Sequence, residues 1–184
     1  MAGKTNTVSA EEALDRLKKG NERYTRGEFE HLRRDQARRT DTSSGQWPFA
    51  IVLTCADSRV TPELVFDQGI GDIFVARVAG NVASGEVIGS LQYAVKYIGT
   101  KLVVVLGHES CGAVGAAIEA PPGPPAELVA LVGDIQRNIG DETELDKAVD
   151  KNANVVAEQL QAKLEGATVM AATYALESGV VRWR

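Results

Sequence analysis

Apolar positions along this chain follow two periods. Residues 49–54 (FAIVLT) and 102–106 (LVVVL) are unbroken apolar runs of strand length, the pattern of strands buried on both faces of a sheet. Residues 73–78 and 169–174 predict two more strands, and the turn Glu177-Ser178-Gly179 predicts an edge strand ending at Trp183. Between these runs the apolar residues recur at helical spacing. Residues 9–24 predict an amphipathic helix, with Ser9 as cap, Glu12 completing a capping box, and Ala13, Leu14, Leu17 and Tyr24 on a stripe that needs an apolar partner. Thr61-Pro62-Glu63 reads as a cap, a proline at the first helical position and an early acid, opening a short helix to Phe66. Residues 84–98 predict a helix stopped by Gly99, residues 112–120 a small-residue helix broken by a surface loop over 121–125, and residues 126–139 and 144–164 two further helices. Strands alternating with helices imply an α/β fold: a mostly parallel central sheet flanked by helices, with right-handed crossovers. Residues 1–45 read as an N-terminal helical arm on a domain over 46–184, one domain overall.

Charge and composition narrow the function. A net charge of -5 argues against nucleic acid as the main partner. The basic run 31–39 reads as a solvated face or subunit contact, and His31 within it is expected to have no catalytic role. No stretch is long enough to span a membrane. The first residues lack the apolar core of a signal peptide, so a cytoplasmic location is expected, with thiols kept reduced. Gly69-Ile70-Gly71-Asp72 lacks the third glycine of a dinucleotide loop and leads into a strand.

The chain has two cysteines and two histidines, and three of these four lie in two turns that end apolar runs: Cys55-Ala56-Asp57-Ser58-Arg59 and Gly107-His108-Glu109-Ser110-Cys111-Gly112. Redox Cys-x-x-Cys motifs and four-cysteine zinc sites need thiols that are not there. Cys55, His108 and Cys111 supply three ligands for zinc, and three with an open fourth position describe a catalytic rather than a structural ion. Asp57 is a candidate for the fourth position, while Arg59 can bind its carboxylate bidentately and keep it off the metal. The competing readings are two inert buried thiols beside a satisfied histidine, and a Cys55–Cys111 disulfide.

The pair CADSR and GHESCG resembles the signature of the β-class carbonic anhydrases, in spacing as well as in residues, and the resemblance runs over nearly the whole chain. It implies zinc on Cys55, His108 and Cys111 and a catalytic dyad of Asp57 and Arg59. The sheet order it implies is 2-1-3-4 plus an edge strand, which sets the strands ending at the two motifs side by side. It also implies reversible hydration of carbon dioxide to bicarbonate, with Asp57 orienting the attacking hydroxide. Two thiolate ligands make a weaker Lewis acid than three histidines, so activity is expected to favour mildly alkaline pH. Gln46, Phe74 and Tyr93 match substrate-pocket positions of the plant-like subgroup, and Gly112 is placed in the same pocket. Val52 stands where the bicarbonate-regulated subgroup has tryptophan, so that regulatory site is not expected. The family pattern further implies a homodimer, or a tetramer or larger assembly, with Gln46, Phe74 and Tyr93 reaching the partner's site. The stretch before the last parallel strand is shorter than the family's. The alternatives are hydrolysis of carbonyl sulfide or carbon disulfide, the carbonyl sulfide hydrolases resembling a subgroup with Met and Ala in place of Ala56 and Ser58, and a non-catalytic zinc-binding homologue.

Overall fold

The computed structural model describes residues 8–120, 122–123 and 125–184. The first seven residues of the arm, and Pro121 and Pro124 of the expected loop, lie outside the described residues. Five strands form one sheet in the order β2-β1-β3-β4-β5: β1 Ala50–Thr54, β2 Ile73–Arg77, β3 Leu102–His108, β4 Thr168–Tyr174 and β5 Val181–Trp183. The first four are parallel and β5 runs antiparallel to β4, the order the resemblance implies. β1 and β3 are buried along their whole length, because helices cover both faces, which is why they read as unbroken apolar runs rather than alternating ones.

The helices are α1 Ala10–Arg26, α2 Gln36–Thr42, α3 Pro62–Val65, α4 Gly85–Tyr93, α5 Gly112–Glu119, α6 Ala126–Ile139 and α7 Leu145–Gln161. On one face Ala50, Val52, Leu102 and Val104 pack with Ala13 and Leu17 of α1 and with Phe66. On the other face Ile51, Leu53, Val103 and Val105 pack with Leu91, Val156 and Leu160. The helix expected over 84–98 is α4 followed by a π-helical turn, Ala94–Ile98. That turn buries Ile98 while leaving Tyr97 73% exposed. Gln161 closes the short link into β4: its amide donates to the Ala167 carbonyl at 3.0 Å and its oxygen accepts from the Val169 N–H at 2.9 Å.

Several local expectations are corrected. Ser9 caps α1 by accepting from the Glu12 N–H at 3.1 Å, but the Glu12 carboxylate binds Arg16 at 2.6 Å, so Ser9 and Glu12 form half of a capping box. Thr61 occupies the cap position of α3 without a side-chain capping bond, and Pro62 alone sets the helix entry. The apolar stripe of α1 lies against the chain's own sheet, so it needs no second subunit to cover it. Gly20 permits that approach, since a Cβ there would lie 1.8 Å from the Phe66 carbonyl oxygen.

The basic run also turns inward. It leads into α2, capped by Asp35, which accepts from the Arg38 N–H at 2.9 Å. Its arginines reach two acids: Arg34, with Arg23 of α1, binds Asp67 at 3.1 and 2.8 Å, and Arg33 and Arg38 bind Asp72 at 2.6 and 3.3 Å. The Asp67 side chain is 0% exposed, and a buried carboxylate requires such partners. The run is thus an intramolecular clasp that holds residues 23–38 to the segment between α3 and β2. His31 is exposed and stacks on Phe29.

Candidate metal centre

β1 and β3 are adjacent and parallel, with Thr54 beside Leu106, and the chain leaves them toward opposite edges of the sheet. Open α/β sheets bind ligands at this kind of switch point, beyond the carboxyl ends of the strands. Cys55 follows β1 directly, His108 is the last residue of β3, and Cys111 occupies the N-cap position of α5. A turn through Ser110, at φ 51°, brings Cys111 back over the strand ends.

The three candidate ligand atoms lie within 4.8 Å of one another, and all three residues are buried. The sulfurs stand 4.0 Å apart and both thiols are free, which excludes a disulfide of about 2.05 Å. Two sulfurs on a tetrahedral zinc at about 2.3 Å each would be about 3.8 Å apart, close to the observed separation. His108 Nδ1 lies 2.8 Å from the Glu109 carbonyl oxygen. A carbonyl only accepts, so Nδ1 carries the proton and the lone pair is on Nε2. That Nε2 is buried with no hydrogen-bond partner, a cost the fold bears unless something binds there. The donor set fits a thiophilic divalent cation.

Asp57 stands at the edge of this set, its Oδ2 3.8 Å from His108 Nε2. Three bonds from Arg59 hold it: Nε and the backbone N–H to Oδ1, both at 2.9 Å, and Nη2 to Oδ2 at 2.8 Å. Those bonds hold its carboxyl well below the usual range against a smaller opposing push from burial. The two thiols shift each other in opposite directions. Cys55 is pulled down first by its contact with Cys111, against burial, and further by the nearby imidazole of His108 and the Gly80 amide. Cys111 is pushed up by that same contact and by burial. Burial pushes His108 down, but the nearby Cys55 sulfur outweighs it and its pKa is raised. A cation bound here would require both sulfurs as thiolates.

Sequence reading missed the groups that brace these motifs. Arg77, at the end of β2, donates to the Cys55 and Asp57 carbonyls at 3.2 and 2.6 Å. The Gly80 amide, in the tight turn Ala79–Asn81, donates to Cys55 Sγ at 3.3 Å. Glu109 ties the second motif to β5 through Arg182 at 2.8 Å. The turn signal Gly80-Asn81 after a strand was legible; its contact with Cys55 was not.

The matched pocket residues do not gather at the centre within one chain. Gly112 does lie beside it, as the first residue of α5. Gln46 precedes β1, whose five residues span about 16 Å before Cys55. Phe74 pairs with Ile51 near the same amino-terminal end of the sheet. Tyr93, at the end of α4, is 50% exposed and lies against Tyr97, ring centroids 5.7 Å apart.

A family described as carbonic anhydrase matches residues 50–181. Carbonic anhydrase 2 of Mycobacterium tuberculosis is 49% identical over 116 residues, covering 63% of this chain and 55% of that protein. The chain thus spans about half the length of the curated relatives it matches. Among solved structures, a Coccomyxa β-carbonic anhydrase has a TM-score of 0.67 at 24% identity, covering 78% of this chain and 75% of that one. The β-carbonic anhydrase CcaA has a TM-score of 0.69 at 24% identity, covering 91% and 86%.

Proposed function

Because the chain belongs to the β-class carbonic anhydrase family, we propose that it catalyses the reversible hydration of carbon dioxide to bicarbonate and a proton. The observation that carries this reading is a buried Cys-His-Cys set with an orphaned imidazole nitrogen, flanked by a carboxylate that Arg59 holds back. Zinc is the proposed cofactor, held by Cys55 Sγ, His108 Nε2 and Cys111 Sγ. Bound there, it supplies hydroxide near neutral pH by lowering the pKa of its water toward about 7.

The remaining work falls to side chains. The two thiolates offset the charge of the cation, and the proton on His108 Nδ1, given to the Glu109 carbonyl, keeps Nε2 free to coordinate. Asp57 stays ionised, accepts a hydrogen bond from the attacking oxygen and fixes which lone pair faces the carbon. Arg59 keeps that carboxylate from becoming a fourth ligand. Ala56 and Ser58, in place of the Met and Ala of carbonyl sulfide hydrolases, support carbon dioxide as substrate. The reading includes a reducing, cytoplasmic location, where both thiols remain available.

The substrate pocket in this proposal is shared. Gln46, Phe74 and Tyr93 lie away from their own metal centre and line that of a second copy, in a two-fold homodimer, while Gly112 serves its own. Among the described residues no helix is long and apolar enough to cross a membrane. The test is metal analysis with stopped-flow hydration of carbon dioxide, with carbonyl sulfide assayed in parallel. Cys111→Ser is expected to lose zinc and hydration together; full zinc occupancy in that variant overturns the ligand assignment.

A further inference from the structure

Behind Cys55 runs a line of side-chain amides, from the exposed Gln159 to the buried Asn138 and Asn152, that belongs to neither motif. Gln159 Nε2 donates to Asn138 Oδ1 at 3.0 Å, Asn138 Nδ2 to Asn152 Oδ1 at 2.9 Å, and Asn152 Nδ2 to the Gly80 carbonyl at 2.8 Å. The Gly80 amide in turn donates to Cys55 Sγ. Asn152 is 1% exposed and Asn138 7%, among Ile135, Ile139, Ala148 and Val149 of an otherwise apolar α6–α7 contact. Burying two side-chain amides in such a place is unfavourable unless each is paired, and the exposed Gln159 supplies the outer partner. Here every step of the line is a donor pointing toward Gly80, so reversing one amide would set donor against donor and acceptor against acceptor.

The target of the line is a strained turn. Gly80 and Asn81 have φ of 65° and 45°, and both are buried. A non-glycine residue seldom adopts that backbone without support. The Gly80 carbonyl and N–H belong to different peptide groups, so the coupling is one of position rather than polarisation: holding the carbonyl fixes where the N–H points.

We propose that Asn152, backed by Asn138 and Gln159, is a positioning residue for the metal centre, keeping the Gly80 amide on Cys55 Sγ and so setting the affinity of the three-ligand set for a thiophilic divalent cation. This rests on the metal reading above. An amide donor both orients a thiolate and withdraws charge from it. Its loss loosens the ligand and leaves the sulfur more electron-rich.

The test compares Asn152→Leu, which keeps the branched shape and removes the donor, with Leu160→Ala, a destabilising change on the same helix within the other core cluster. Zinc affinity is read by chelator competition, the sulfur-to-metal charge-transfer band from Co2+ substituted for zinc, and Gly80 amide exchange by NMR on the metal-free chain. In Asn152→Leu, zinc affinity is expected to fall about 10–100-fold. The Co2+ band should move to longer wavelength, and Gly80 exchange should accelerate beyond that of Leu160→Ala. Asn138→Leu should shift all three in the same direction by less, and it carries the test if Asn152→Leu does not fold. The proposal is overturned if Leu160→Ala reproduces these changes, or if both asparagine variants bind zinc within about twofold of the parent with unchanged Gly80 exchange. If the parent chain takes up no zinc while Gly80 exchange still responds to Asn152→Leu alone, the clamp on the turn is supported and the metal reading is what fails.

Discussion

Gly80→Ala isolates the turn that presents an amide to Cys55. The residue sits at φ 65°, and a Cβ there would lie 2.5 Å from Ile135 Cδ1, 3.2 Å from Ile135 Cγ1 and 3.4 Å from Ala113 Cβ. Two costs add. The left-handed backbone disfavours a non-glycine residue by about 1–2 kcal/mol. Overpacking costs typically about 1–3 kcal/mol; the nearest atom is a terminal methyl that can turn aside, so the lower end, about 1 kcal/mol, applies. The stiffer unfolded chain offsets roughly 0.5 kcal/mol. The net destabilisation is about 1.5–2.5 kcal/mol, which in a chain of 184 residues lowers Tm by about 3–10 °C. The control is the same substitution in an open helix. Gly133 lies inside α6, and its Cβ would meet only Arg137 Nη1 at 3.4 Å, so Gly133→Ala should raise stability by about 0.5–1 kcal/mol. Thermal and denaturant unfolding of both variants beside the parent chain measure the two shifts. Shifts of the same sign and size would refute the reasoning, since it depends on Gly80 being confined and Gly133 free.

Three further expectations concern the dyad, the clasp and the assembly. Arg59→Ala should keep zinc but lose at least about tenfold in hydration rate, because the freed Asp57 can close the fourth position; unchanged rates from pH 7 to about 9 would remove Arg59 from the reaction. Burial pushes the Asp67 carboxyl up, but Arg23 and the Glu30 amide outweigh it and hold it below the usual range. A carboxyl depressed by folding contributes stability that is complete above its unfolded value near 3.9 and is lost as pH falls through the folded value, so acid unfolding should draw on Asp67 only below about pH 4. Asp67→Asn should cost about 1–3 kcal/mol at pH 7 and flatten that acid limb; an unaltered limb in denaturant titrations would show that the clasp carries no such term. Gln46→Ala and Cys111→Ser chains, each weak or inactive alone, should regain hydration activity above their sum when mixed under subunit exchange. No gain, with exchange confirmed and Gln46→Ala impaired, would place Gln46 outside the partner's site.

Much of this protein was legible along the chain, because what it encodes there is local. Unbroken apolar runs marked β1 and β3 as strands covered on both faces, helical spacing marked α1, α6 and α7, and the clustering of Cys55, His108 and Cys111 in two turns marked the centre. The clasp was not legible. Asp67 and Asp72 look like any loop acids until folding buries them, and only burial makes four arginines their obligatory partners. The same holds for Arg77 and Gly80, which come to Cys55 from a strand end and a turn 22 and 25 residues away, and for Asn152, which reaches Gly80 from a helix 72 residues further on. Periodicity tells which face of an element is covered. It carries no information about which distant residue covers it, so α1 could be read as needing a partner surface, while only packing could show that the surface was the chain's own sheet. The placement of Gln46 and Phe74 at the far end of that sheet is likewise a property of strand direction and register, set when β2 and β3 pair with the two edges of β1.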